Sequence, residues 1–371
     1  MESAGYQTFA SQVRLAPKTV QRVWEAATEV DPTLRPSPRL LDAISRKRVR
    51  PTRFSRARLF EQMRACKPVL FTDFPIRPAP QSRHQQAFCL LDELRRGFPG
   101  SVRARVRTGN SIAYLPVPRA IDRWVTSRSS FGVTDLHYIG TRFDSSIDTS
   151  GLNDFNLLQR GTDGYQSQDS LVISSKGGFT DSHSDDHSGS NHSFVGAKLW
   201  LLWDTIEGLD LGLEDVERCE VYDRAAFDLP TFLSMKSSSW ILISAGQTMF
   251  IPAHLSHKVI TLERYLGLGS FHAGFPGFID LLKRWTRLPP TWATPPTSRN
   301  RRCSVDFVTR RAIRKLESLR GASISERNKW GLAYLRARLQ QDDVSDRAID
   351  RYSANGDISS LKAFVQASRL D

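Results

Sequence analysis

Cysteine is scarce in this chain, and the spacing of the few present excludes more than their number does. Cys66, Cys89, Cys219 and Cys303 are scattered through 371 residues without a Cys-x-x-Cys pair. Neither a zinc cluster nor a dense disulfide framework is therefore expected. Long apolar runs are also missing. No uninterrupted stretch approaches the roughly 18 residues of a membrane span, and the opening MESAGYQTFASQVR lacks the charged start and apolar block of a secretory signal. Both absences point to a soluble protein of a reducing intracellular compartment, nuclear or cytoplasmic, with no membrane partner. Acidic residues are outnumbered, 39 against 52 Lys and Arg, for a formal net charge of +13. That surplus favours anionic neighbours such as nucleic acid, chromatin or acidic peptides. No internal repeat is visible that would suggest a solenoid.

The remaining composition, 40% hydrophobic and 10% aromatic, suffices for a full globular core. Three regions are expected. Residues 1–65 form a basic, helical N-terminal segment, in which SRKRVRPTRFSRARLF (Ser45 to Phe60) carries seven basic residues and no acidic one. That run suits either phosphate contact and nuclear import or a solvated arm without a dedicated partner. Residues 66–285 carry strand signals. KPVLFTDFP reads as a buried strand and CLLDELRRGFPG as a short helix closed by a turn. SVRARVRTG alternates as a half-buried strand should, with Val102, Ala104 and Val106 on one face and arginines on the other. After a polar loop over Ser145 to Asp169 come SLVISS, AKLWLLWD, SWILIS, TMFIP, HKVITL and YLGLGSF, short strands whose density predicts a sandwich or barrel. Residues 286–371 open with the proline-rich LPPTWATPPTSRNRR and continue as basic helices.

The chain has only eight histidines, yet GGFTDSHSDDH, Gly177 to His187, holds two of them with three aspartates. In a strand, His183 and Asp185 point to the same side and can meet at one ion. His257, in the strand that follows FIPAHLS, can supply a third ligand from a neighbouring strand. Two imidazoles and one carboxylate on one face of an ion leave three positions open, which suits Fe(II) oxygen chemistry; zinc more often takes a fourth protein ligand or a bound water. His187, His192, Asp186 and His254 are competing donors. A helical His183/His187 pair of the zinc-protease kind lacks the glutamate after its first histidine. Lys198 sits in the apolar GAKLWLLWD, where a buried ammonium needs an anionic partner unless it snorkels to water. Thr180 has the opposite strand parity to His183, so both can face one pocket only across an irregularity, which Asp181-Ser182 can provide. Gly246 is expected to serve the turn into QTMFIP.

These stretches, in their order GGFTDSHSDDH, GAKLWLLWD and GQTMFIPAHLSHKVITL, resemble the JmjC family of Fe(II)- and 2-oxoglutarate-dependent oxygenases over roughly residues 66–280. The likeness is strongest to the JmjC histone lysine demethylases and protein hydroxylases. It implies a mainly β protein with helices, built on a double-stranded β-helix (cupin or jelly-roll) barrel with helical additions at both ends. It implies iron held by His183, Asp185 and His257, with 2-oxoglutarate as cosubstrate and O2 as oxidant. Thr180 would give its hydroxyl to the cosubstrate and Lys198 would meet its distal carboxylate. His272 falls where the family often has an asparagine near the iron or cosubstrate, and Ala253 to Ser256 lacks the family's aromatic residue. The implied activity is hydroxylation of a C–H bond or oxidative removal of an N-methyl group. A protein or peptide substrate is expected, with chromatin or nucleic acid engaged through the basic segments, although no Cys-rich reader domain is present. A small-molecule hydroxylase of a biosynthetic pathway and a non-catalytic binding scaffold are the alternatives.

Overall fold

The computed structural model describes residues 19–76, 91–108, 111–126, 131–138, 141–143, 169–185, 188–213, 226–252 and 255–272. The expected helices after residue 286, the loop before Asp169 and the competing donors Asp186, His187 and His254 lie outside these residues. Ten strands make one antiparallel sheet: β1 (Val69–Phe71), β2 (Arg103–Thr108), β3 (Ser111–Pro116), β4 (Gly132–His137), β5 (Asp169–Ser174), β6 (Phe179–Ser184), β7 (Ser188–Asp204), β8 (Ser239–Ser244), β9 (Thr248–Ile251) and β10 (Leu255–His272). The protein is thus mainly β with helices. The hydrogen-bonded order runs β1-β9-β7-β10-β5-β4-β2-β3, with β6 added on β10 and β8 on β7, and this path is open.

Two long strands organise the sheet. HKVITL and YLGLGSF belong to one 18-residue strand, β10, which pairs along its length with the 17-residue β7. Midway, both strands change their other neighbour. The first part of β10 pairs with β6 and its last part with β5, while β7 pairs with β9 early and with β8 late. The change falls where the β7–β10 register slips, between Thr261 and Gly267. Gly196 lies at this point with φ +81°, and a Cβ there would sit 1.7 Å from the Arg264 carbonyl oxygen, so only glycine fits. Strands that bend and slip in this way divide a sheet into two faces that can pack against each other. Gly246, with φ +82°, makes the β8–β9 turn as expected, and its N–H donates to the Ser193 carbonyl.

Among the described residues, three apolar clusters follow from this division. Helix α1 (Val20–Val30) buries Val23, Trp24, Ala27 and Val30 against Leu199, Leu201 and Trp203 of β7 and Ile260 and Leu262 of β10. Each such large apolar side chain contributes roughly 1.5–3 kcal/mol on burial. Asp31 caps α1 and its carboxylate accepts from the Thr33 N–H at 3.1 Å. On the other half, α4 (Val117–Thr126) lays Ile121 and Trp124 over Val106, Leu171, Ile173 and Leu268. Between the halves, Trp200, Leu202, Ile241, Val259 and Tyr265 form a third cluster. The basic run after α2 (Leu41–Arg46) is tied down along two strand edges. Trp240 N–H donates to the Lys47 carbonyl, Val49 N–H to the Trp240 carbonyl and Thr52 N–H to the Leu70 carbonyl. It covers edges that would otherwise expose unpaired backbone. Arg50, Arg53, Arg56 and Arg58 remain exposed at the end of this run and in α3 (Arg56–Arg64).

Candidate metal site and its cavity

The candidate ligands come together where β6 crosses the start of β10. His257 pairs with His183, but the next paired positions are Val259 and Thr180, so three residues of β6 span two of β10. The surplus residue falls in Asp181-Ser182, the irregularity expected there, and it turns both Thr180 and His183 onto the wall of a cavity of about 460 Å³. One donor atom from each of His183, Asp185 and His257 lies within 4.8 Å of the others. The Asp185 Oδ2 is 3.7 Å from the His257 Nε2, and the two imidazole centroids are 4.1 Å apart.

Both rings are oriented by their other nitrogen. His183 Nδ1 is 2.8 Å from the Asp181 carbonyl oxygen and His257 Nδ1 is 3.3 Å from the Leu255 carbonyl oxygen. A carbonyl only accepts, so each Nδ1 carries the proton and each Nε2 offers its lone pair. This is the usual second contact of a metal-bound histidine. Trp200 packs beside His257 with ring centroids 5.1 Å apart. His257 is 2% exposed and Asp185 29%, so the site is dry on the His257 side and open beside the carboxylate. The donor set fits a divalent transition ion with open coordination positions.

Lys198 lines the same cavity, opposite Thr261 on β10. Its ammonium lies 4.5 Å from the centroid of the Tyr265 ring, and among the described residues no hydrogen bond or ion pair engages it. Burial pushes its pKa down from 10.5 to about 7. Tyr265, whose own pKa burial pushes up, donates its hydroxyl to Asn191 Oδ1, and Asn191 is on the cavity wall. Thr261 and Ser174 share a hydrogen bond of 3.0 Å beside them.

Two further histidines among the described residues, His192 and His272, make their contacts away from the three ligands. His192 is buried in β7, its Nδ1 2.8 Å from Thr248 Oγ1, and burial pulls its pKa down to about 3, so it is a neutral core residue. His272 is off the cavity wall. Its Nε2 is 2.7 Å from Ser190 Oγ and its ring packs on Phe250, so its reach to the cavity passes through the Ser190 hydroxyl.

Other residues carry no sequence motif. Lys258, next to His257, points to the opposite face of β10 and is wholly buried. Its Nζ is 2.7 Å from Asp181 Oδ1 and 3.3 Å from Asp31 Oδ2. Asp181 therefore works twice, holding Lys258 with its carboxylate and His183 with its carbonyl. Only an outward strand parity marks Lys258 in the sequence, and nothing there names Asp31 as its partner. Among the described residues no helix is long and apolar enough to cross a membrane. Compared with protein-family models and with curated proteins, the chain matches none.

Proposed function

We propose that the protein is an Fe(II)- and 2-oxoglutarate-dependent oxygenase of JmjC type, acting on a C–H or N-methyl group of a protein substrate. The observation that carries this reading is the joint presence, on one cavity wall, of an unsaturated His183–Asp185–His257 donor set and a buried lysine that meets no anion among the described residues. A buried cation without a partner is costly unless a ligand brings the countercharge. A dicarboxylate that chelates the ion at one end and meets Lys198 at the other answers both features. The bend that divides β7 and β10 supports reading the sheet as a double-stranded β-helix, in which such a cavity lies between the two faces.

When bound, Fe(II) with 2-oxoglutarate supplies a two-electron oxidation. That oxidation would couple decarboxylation of 2-oxoglutarate to succinate and CO2 with hydroxylation of a substrate C–H bond. A hydroxylated N-methyl group then collapses to amine and formaldehyde. The chain's own groups do the positioning. Asp181 and Leu255 carbonyls hold the two imidazole tautomers, and Asp185 fills the third protein position. Thr180 and Lys198, both on the cavity wall, would bind the cosubstrate's oxygens, and Trp200 and Val259 would exclude water from the inner wall. The test is succinate formation from 2-oxoglutarate with Fe(II) and ascorbate. Iron-dependent succinate is expected, lost in Asp185→Ala; background levels in the folded wild-type protein would remove the oxygenase reading. Mass spectrometry of the substrate then separates gain of an oxygen from loss of a methylene.

A further inference from the structure

The carboxylate of Asp181 holds more than Lys258. Its Oδ1 also accepts the Ser182 N–H at 3.0 Å, so the same oxygen pins the surplus residue of the β6 bulge. That bulge is what brings Thr180 and His183 onto one wall. Asp181 thus sets the His183 tautomer with its carbonyl and the local backbone with its side chain. The side chain in turn is aimed by the Lys258 ammonium, 2.7 Å away. Lys258 follows the ligand His257 in β10, so this contact ties the bulge to the strand that carries the second imidazole.

Asp31 stands beyond Lys258, at the end of α1, and its two oxygens are divided. Oδ1 accepts from the Thr33 N–H at 3.1 Å and from the Thr33 hydroxyl at 2.6 Å, which leaves Oδ2 for Lys258 at 3.3 Å. Thr33 Oγ1 accepts the Phe227 N–H at 3.1 Å, and the Phe227 ring centroid lies 5.8 Å from the same ammonium. The Asp31 and Lys258 side chains are 4% and 1% exposed. Charges this far from water are weakly screened, so a change at one is felt at the next. In its apolar cluster, by contrast, α1 meets β7 and β10 through contacts that have no direction.

We propose that Asp31 is a positioning residue for the metal site, and that docking of α1 and binding of the metal are coupled through Asp31, Lys258 and Asp181. This rests on the reading of His183, Asp185 and His257 as metal ligands, but it does not need turnover. With Asp31 in place the ammonium is shared between two carboxylates. Without it the ammonium leans on Asp181 alone, the Ser182 contact to the same oxygen is disturbed, and the His183 ring loses its fixed aim. Coupling between two sites is reciprocal, so a bound metal must hold α1 more firmly on the sheet.

The experiment titrates the full-length protein with Mn(II) by calorimetry, in wild type, Asp31→Asn and Val23→Ala. The share of binding that Asp185→Ala removes belongs to the site. Asparagine keeps an acceptor for Thr33 and removes the charge that Lys258 meets. Val23→Ala takes packing from the same helix outside the ionic chain. Loss of a group that directly orients a ligand weakens metal binding about 10- to 100-fold, and Asp31 acts further out. Asp31→Asn is therefore expected to weaken Mn(II) about five-fold, and Val23→Ala to leave it unchanged. Hydrogen exchange read by mass spectrometry supplies the reciprocal half: Mn(II) should slow exchange of the α1 amides in wild type and not in Asp31→Asn. Unchanged affinity in Asp31→Asn, an equal loss in Val23→Ala, or α1 exchange indifferent to Mn(II) overturns the proposal. Should Asp31→Asn not fold, the exchange of wild type with and without Mn(II) decides alone. Absence of Mn(II) binding in folded wild type removes the metal site and both readings with it. Coupling without succinate formation sinks the oxygenase reading only, and succinate formation without coupling sinks this one only.

Discussion

Lys198 and Lys258 are both buried, lie on adjacent paired strands and point to opposite faces of the sheet, yet their surroundings differ completely. Behind the sheet, Lys258 is clamped between Asp31 and Asp181, with Phe179 and Phe227 ring centroids about 6 Å away. In the cavity, Lys198 meets the face of Tyr265 and, among the described residues, no carboxylate. The first arrangement is complete as it stands. The second is electrostatically unfinished, and burial drives its amine toward the neutral form. A folded chain tolerates an unfinished buried charge where a ligand finishes it, so the contrast separates a structural lysine from a binding one.

The largest effect is expected behind the sheet. Lys258→Met takes the shared cation from the buried Asp31 carboxylate and the largely buried Asp181 carboxylate, and loss of one member of a buried ionic cluster costs about 3–5 kcal/mol. Urea unfolding should show it, together with weaker Mn(II) binding as Asp181 loosens its hold on the loop that aims His183. Stability within about 1 kcal/mol of wild type would mean that the clamp is not stabilising. In the cavity the signs reverse. Lys198→Met removes an uncompensated charge, so stability should rise by on the order of 1 kcal/mol. Binding of an oxalylglycine analogue to the Mn(II) form should fall at least about 30-fold, roughly 2 kcal/mol. Analogue affinity unchanged in Lys198→Met would break the comparison.

The pH dependence sharpens it further. Lys198 titrates near 7 in the folded chain and near 10.5 when unfolded. Below pH 7 both states hold the proton and the penalty for burying the charge is fully present. Between about 7 and 10.5 the unfolded chain binds the proton and the native chain does not, so stability rises with pH. The slope from this one group is at most about 1.4 kcal/mol per pH unit. Denaturation midpoints of wild type minus Lys198→Met, measured from pH 7.5 to 9.5, isolate it. A bound dicarboxylate should flatten the slope by keeping the ammonium charged, and a flat difference without ligand would place the Lys198 pKa elsewhere.

Local pattern made the cavity side legible and left the rear of the sheet dark. His183 and Asp185 share a strand parity that can be read directly, and the bulge was demanded by the odd separation of Thr180 and His183. Lys198 stood out as one charge in an apolar run. The meeting of Lys258 with Asp31, by contrast, joins residues 227 positions apart, and no period records it. The same limit explains why HKVITL and YLGLGSF read as two strands. The intervening Glu263-Arg264 looks like a turn, but it is the slipped register opposite Gly196 that carries β10 through the bend. β3 is exposed over most of its length and so has no buried alternation for a sequence to display.

His272 gives the smallest and most discriminating test. A position suited to an asparagine near the cosubstrate would tolerate His272→Asn, while a core histidine would lose packing. The ring contacts Phe250 and its Nε2 reaches Ser190 Oγ, and the shorter asparagine cannot keep both. The expected cost is about 1 kcal/mol of stability, the worth of one buried hydrogen bond. Mn(II) and analogue affinities should change less than about two-fold, because Ser190, not His272, stands on the cavity wall. A ten-fold loss of analogue affinity with unaltered stability would instead give His272 a direct place beside the cosubstrate. The two outcomes differ in which quantity falls, since only a wall residue can lose binding without touching the core.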